Sequence, residues 1–414
     1  TIDKDFTIGA TGYLQNADEI GHGFVEGVDG APTTADDKLT WHFFAPNVHD
    51  FVWAADPDYT HMMYKSVAGP TLHFFYQENE KNKENWEALP GIMDKALVFI
   101  NAHFGVYPYD QYSFIQGGDG GMEYPMATLI RGNGSFNGLV GVSVHEWMHS
   151  WYQMILGTNE LLYPWMDEGF TSYASARVMN ELARQELLPG REFRENPYAG
   201  TYQSFANFST SGAEEPLSTH SDHYTTNSAY GVGSYVKGSI FLNQLEYIIG
   251  KEAFDKTLLR YFNEWKFKHP DANDFIRVAE KSSDMVLDWY KEYWINQTHS
   301  IDYALGDVSE AGNKTQIVLE RRSHMPMPIE LKVTMKNGKE TTYYMPLQIM
   351  RGGKPAPQGV KWEELDAWPW TNPSYTFKIP VKLDKIEQIE IDPSHKMMDI
   401  DRTNDVLVEK ENKS

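Results

Sequence analysis

His145-Glu146-Trp147-Met148-His149 combines residue types and a spacing that can do chemistry. Two histidines four apart on a helix stand one above the other on the same face. Their imidazoles then meet one zinc ion at about 2.0–2.1 Å each. Glu146 is one step round, placed to take the proton of an attacking water whose pKa the metal lowers. The competing reading is a pair of ordinary surface or core histidines. A catalytic zinc needs a third protein ligand and one open position. Glu168 offers it, 19 positions after His149, within Trp165-Met166-Asp167-Glu168-Gly169-Phe170. A carboxylate in the first turn of a second helix can pack back over the first helix. Alternatively, Glu168 only complements the helix dipole.

Apolar periodicity supplies the elements that must position these groups. Trp86, Leu89, Met93, Leu97 and Ile100 mark an amphipathic helix from about residue 85. Val144, Met148, Trp151 and Ile155 form one stripe of a helix over 142–156, with both histidines at its margin. A helix after Pro164 buries Phe170, Ala174, Val178 and Leu182. Another spans about 233–249, with Gly250 as its stop, and two more fit 272–281 and 285–296. Short strands fit 40–44, 50–53, 112–115 and 124–130, with a Gly-rich turn over 117–121. Beyond about 305, alternating runs on either side of Asn337-Gly338 predict a hairpin, and Ile386, Ile389 and Ile391 another strand.

The chain has 414 residues, and at roughly 150 per domain it holds two to four domains. With 41% hydrophobic and 23% charged residues it is neither disordered nor a rod. No stretch reaches the roughly 18 apolar residues of a membrane span. A formal charge of −22 opposes binding to phosphate backbones or anionic lipid, which argues against a nucleic-acid partner. With no cysteine, there is neither a thiolate nucleophile nor a cysteine metal site. The chain opens on Thr1, as a processed or truncated piece does, and the lack of cysteine suits an exported protein.

His-Glu-x-x-His followed after eighteen residues by Glu168 resembles the aminopeptidase N family of zinc peptidases (gluzincins), which includes leukotriene hydrolase. Thermolysin-type peptidases have one more residue in that gap. Gly120-Gly121-Met122-Glu123-Tyr124 resembles the family's Gly-x-Met-Glu-Asn motif, whose glutamate binds the free amino group of the substrate. The segment Ala229 to Gly238 resembles the family's run ending in Tyr-x-Lys-Gly. The resemblance gives Tyr235 the oxyanion-binding role and Tyr230 a lesser substrate-binding one. Two positions depart from the family. Tyr124 replaces the usual Asn, and Ser175 stands where many members have a glutamate that supports the metal site.

The resemblance implies a multidomain α+β protein. Residues 1–62 would be the end of an N-terminal β-domain, 63–305 a thermolysin-like catalytic domain and 306–414 a β-sandwich. It implies one zinc ion on His145, His149 and Glu168, with Glu146 and Tyr235 catalytic. Gly120, Gly121, Met122, Glu123 and Tyr230 would bind peptides with a free amino terminus. The alternatives are a zinc endopeptidase without the terminus requirement, and a catalytically weak zinc-bearing scaffold that binds peptides.

Overall fold

The computed structural model describes residues 1–28, 30–32, 36–118 and 120–408. Asp119, inside the expected Gly-rich turn, lies outside the described residues. The chain is an α+β protein of two compact units. Thr1–Glu160, Met166–Pro197 and Leu258–Asp271 form the first, and Leu161–Trp165, Tyr198–Thr257 and the chain from Ala272 onward the second. No helix among the described residues is long and apolar enough to cross a membrane.

The first unit is organised by a five-stranded mixed sheet. Its strands are β1 (Tyr59–Lys65), β2 (Thr71–Gln77), β3 (Gln111–Gln116), β4 (Met122–Tyr124) and β5 (Ala127–Ile130), in the order β4-β5-β3-β2-β1. Helix α1 (Lys83–Phe104) makes the crossover from β2 to its parallel neighbour β3. Alternation along β2 and β3 sends Leu72, Phe74, Tyr112 and Phe114 to one face, where all are fully buried. Helix α2 (Phe136–His149) packs there, with Trp147 5.2 Å from the Phe114 ring. Burying a side chain of that kind contributes about 1.5–3 kcal/mol or more, and this anchors the helix that carries both histidines.

The other face of the sheet is more polar. His61, His73 and Ser113 stand there, covered by the first fifty residues. His61 Nε2 is 2.9 Å from His73 Nδ1, and His61 Nδ1 is 2.8 Å from the carbonyl oxygen of His22. Both rings keep some surface exposed, while three of their four nitrogens face a hydrogen-bond partner. Burial pushes His61 down to about 4 and His73 to about 3. Because the unfolded chain binds protons near pH 6.5 and the folded one does not, this stability is complete above 6.5. It falls as pH drops from 6.5 towards 3. Each ring costs up to about 1.4 kcal/mol per pH unit, less for its residual exposure. Between pH 7.5 and 5.5, stability measured by denaturant titration should therefore fall by about 1 kcal/mol more in the wild type than in His73→Phe.

In the second unit, helix α4 (Gly238–Ile249) is buried along its whole length. Gly250 ends it at φ 85°, as the sequence predicts. The expected hairpin is present: β6 (Ile329–Met335) pairs with β7 (Glu340–Met345), and Gly338 takes φ 77° in the turn. Strand β8 (Ile386–Ile391) joins the other side of β6. Tyr303–Ala311, Lys314–Arg321 and Ser374–Ile379 form a separate three-stranded sheet.

Candidate active site

Helix α2 starts earlier than periodicity suggests. Ser135 caps it, its Oγ accepting the Gly138 N–H at 3.2 Å. Its α-helical part stops at His149, and Ser150–Ile155 continues as a π-helix. Such a wide turn often marks a functional site. Helix α3 (Pro164–Arg184) opens with Pro164, whose missing N–H costs nothing in a first turn. That start puts Asp167 and Glu168 in the first two turns.

The two helices bring together the three expected ligands. His145 Nε2 and His149 Nε2 are 3.3 Å apart, and Glu168 Oε2 is 3.4 Å from each. A tetrahedral zinc with bonds of about 2.0–2.1 Å spaces its ligand atoms by about 3.3–3.4 Å, so the three donors fit this metal. Charge agrees. Glu123, Glu146, Asp167 and Glu168 converge on two imidazoles, and donor atoms of Glu123, Glu146 and His149 also lie within 4.8 Å of one another.

Glu146 is buried. Burial pushes its carboxyl up to about 8, with Glu123 and Glu168 adding to the effect and His149 opposing it. A bound dication would draw that value back towards neutrality. Burial likewise raises Glu123, whose Oε1 is 3.9 Å from His149 Nδ1. Of Gly120 and Gly121, only Gly121 is crowded. A methyl group there would strike Glu146 Oε1 and come within 3.0 Å of Val142. Gly120 faces open space and Met122 is exposed.

Sequence reasoning missed Asp167. His149 Nδ1 donates to Asp167 Oδ1 at 2.5 Å, which leaves Nε2 with its lone pair towards the metal position. Thr171 Oγ1 stands 3.3 Å from the same Nδ1. Ser175 donates to the Thr171 carbonyl at 2.7 Å instead of reaching a histidine. The support that Ser175 lacks is thus supplied to His149 by Asp167. Two adjacent acids at a helix start were the available signal, but a first-turn acid explains itself by the dipole. Asp167→Asn should weaken zinc binding about 10–100-fold in chelator competition with the fold intact.

Tyr230 and Tyr235 belong to the second unit, their ring centroids 6.4 Å apart. Tyr235 lies in another π-helical turn, Val232–Lys237. Lys237 anchors that turn: its buried ammonium donates to Glu214 Oε1 at 2.6 Å and to the Gln297 carbonyl at 2.9 Å.

Two imidazoles from one helix and a glutamate from the next, beside a buried carboxylate, define the gluzincin class. Residues 92–294 match the model of the peptidase family M1 domain. The match supports the resemblance to the aminopeptidase N family over these residues. Aminopeptidase B of Mus musculus is 26% identical over 237 residues, covering 51% of this chain and 34% of its own length. Leucine aminopeptidase 2 of Lodderomyces elongisporus is 31% identical over 198 residues, covering 42% and 29%. The crystal structure of Legionella pneumophila aminopeptidase A in complex with aspartic acid superposes with a TM-score of 0.59 at 14% identity. That match covers 84% of this chain and 38% of the other, and shows a shared fold. The chain spans about a third of the length of these relatives.

Proposed function

We propose that this chain is a zinc-dependent aminopeptidase that hydrolyses the first peptide bond of peptides with a free amino terminus. The observation that carries the reading is the triangle of His145, His149 and Glu168 donor atoms, 3.3–3.4 Å on each edge, with Glu146 and Glu123 beside it. Zinc held there would polarise the scissile carbonyl and acidify water. Glu146 takes the proton from the attacking water and returns it to the leaving amine. Glu123 pairs with the substrate ammonium, so a blocked terminus leaves a buried carboxylate unpaired. Tyr235 donates to the carbonyl oxygen as charge builds on it, and Tyr230, Gly120, Gly121 and Met122 line the substrate path. In this reading residues 63–305 are a thermolysin-like catalytic domain, 1–62 the end of a β-domain and 306–414 a β-sandwich.

The test is one short peptide, free and then amino-acetylated, with and without chelator. We expect zinc-dependent release of the first residue from the free peptide only. Glu123→Ala should lower kcat/KM for the free peptide about 10–100-fold, the worth of a hydrogen bond to a charged group. Internal cleavage of both peptides would replace this reading with an endopeptidase. Zinc binding without any cleavage would leave a peptide-binding scaffold.

A further inference from the structure

The polar face of the sheet in the first unit holds a cavity of about 260 Å³, remote in sequence from the zinc motif. Phe24, Phe43 and Phe75 form its apolar walls, and His73, Gln111 and Ser113 contribute its polar atoms. The His73 ring is nearly parallel to that of Phe75, at 9° and 6.2 Å, and lies 5.4 Å from Phe24.

The hydrogen-bond chain determines what His73 presents. His61 Nδ1 faces a carbonyl oxygen, that of His22, and must donate to it. In a neutral ring, His61 Nε2 is then the acceptor. It faces His73 Nδ1 at 2.9 Å, so His73 Nδ1 donates. His73 Nε2 is left as a lone-pair acceptor. Among the described residues no group donates to it. Burial keeps both rings neutral, which preserves this order. Two of the other polar groups are engaged with each other and the backbone: Ser113 Oγ donates to Gln111 Oε1 at 3.2 Å, and Gln111 Nε2 to the Gly12 carbonyl at 2.8 Å. The Tyr13 hydroxyl, which accepts the Asp110 N–H at 3.1 Å, and Thr71 also line the cavity. Among the described residues, Asp110 is the one carboxylate lining the cavity, and it is exposed. The lining therefore offers aromatic walls, the imidazole acceptor of His73 and the hydroxyls of Tyr13 and Thr71, with no buried counter-charge.

We propose that this cavity is a binding site for a small neutral aromatic molecule carrying one N–H or O–H donor, its ring between the phenylalanines and its donor on His73 Nε2. Planar rings gain from offset stacking against such walls. A ligand without a donor would bury Nε2 unsatisfied, whereas a charged one would lose its hydration without a partner.

The probes are indole and N-methylindole, titrated against the full chain by NMR. Indole should give saturable shifts at the Gln111 and Ser113 amides, with a Kd of about 1 mM or below. N-methylindole should bind about tenfold more weakly, the worth of one hydrogen bond. His73→Phe should remove that tenfold preference. Phe43→Ala, which leaves the histidine chain intact, should weaken both ligands. Equal binding of the two probes would overturn the proposal, as would no saturable shift by indole or an unaltered affinity in Phe43→Ala.

Discussion

Glu146→Gln is expected to abolish most turnover while leaving the metal in place. The side chain keeps its size, so the collision-free fit against Gly121 is preserved. None of the three zinc donors is touched. What is lost is the ability to accept a proton from water and deliver it to the leaving amine. General acid–base groups are worth about 10²–10⁴-fold, and Glu146 serves in both directions, so the upper end of that range applies. KM should change little, because the amide still fills the same buried space. Steady-state kinetics with metal content measured on the same sample tests this. Activity within about tenfold of wild type would exclude Glu146 as the base.

Glu168→Gln should act on the metal itself. Binding free energies of about 10–16 kcal/mol shared over four ligands give about 3–4 kcal/mol for each, or about 10²–10³-fold in affinity. The amide oxygen is a poorer donor than the carboxylate and brings no charge to offset the cation. We therefore expect zinc to be lost to a mild chelator that leaves the wild type loaded, and activity to return when zinc is added in excess. His149 should remain positioned by Asp167 throughout, since that contact does not involve Glu168. The variant thus separates a missing ligand from a displaced helix. Unchanged zinc affinity would show that Glu168 is not a ligand.

The accuracy of the sequence reading depended on how local each feature is. The His145–His149 pair needs only the pitch of a helix, and the helix is formed by its own apolar stripe. Asn337-Gly338 likewise fixes a hairpin turn between adjacent strands. Strands β1 and β2 escaped notice because their exposed-side residues, His61, His73 and Met63, break the simple polar alternation. The two histidines lie against Phe24 from another segment, and Met63 is an exposed apolar residue where alternation would place a polar one. The π-helical turns at Ser150–Ile155 and Val232–Lys237 were read as plain helix, since one extra residue per turn hardly alters an apolar stripe.

The sequence by itself determined the ligand types, their order and the helix that pairs two of them, because these follow from side-chain chemistry and from spacing within one element. It also supplied Glu146 and, through the resemblance, Glu123. Only the tertiary structure decided that Asp167 steadies His149 where Ser175 does not, that Gly121 makes room for Glu146, and that His73 turns an acceptor into a cavity. Each of these joins residues from different elements. Their distances are set by how helices and strands pack, which no periodicity along the chain encodes.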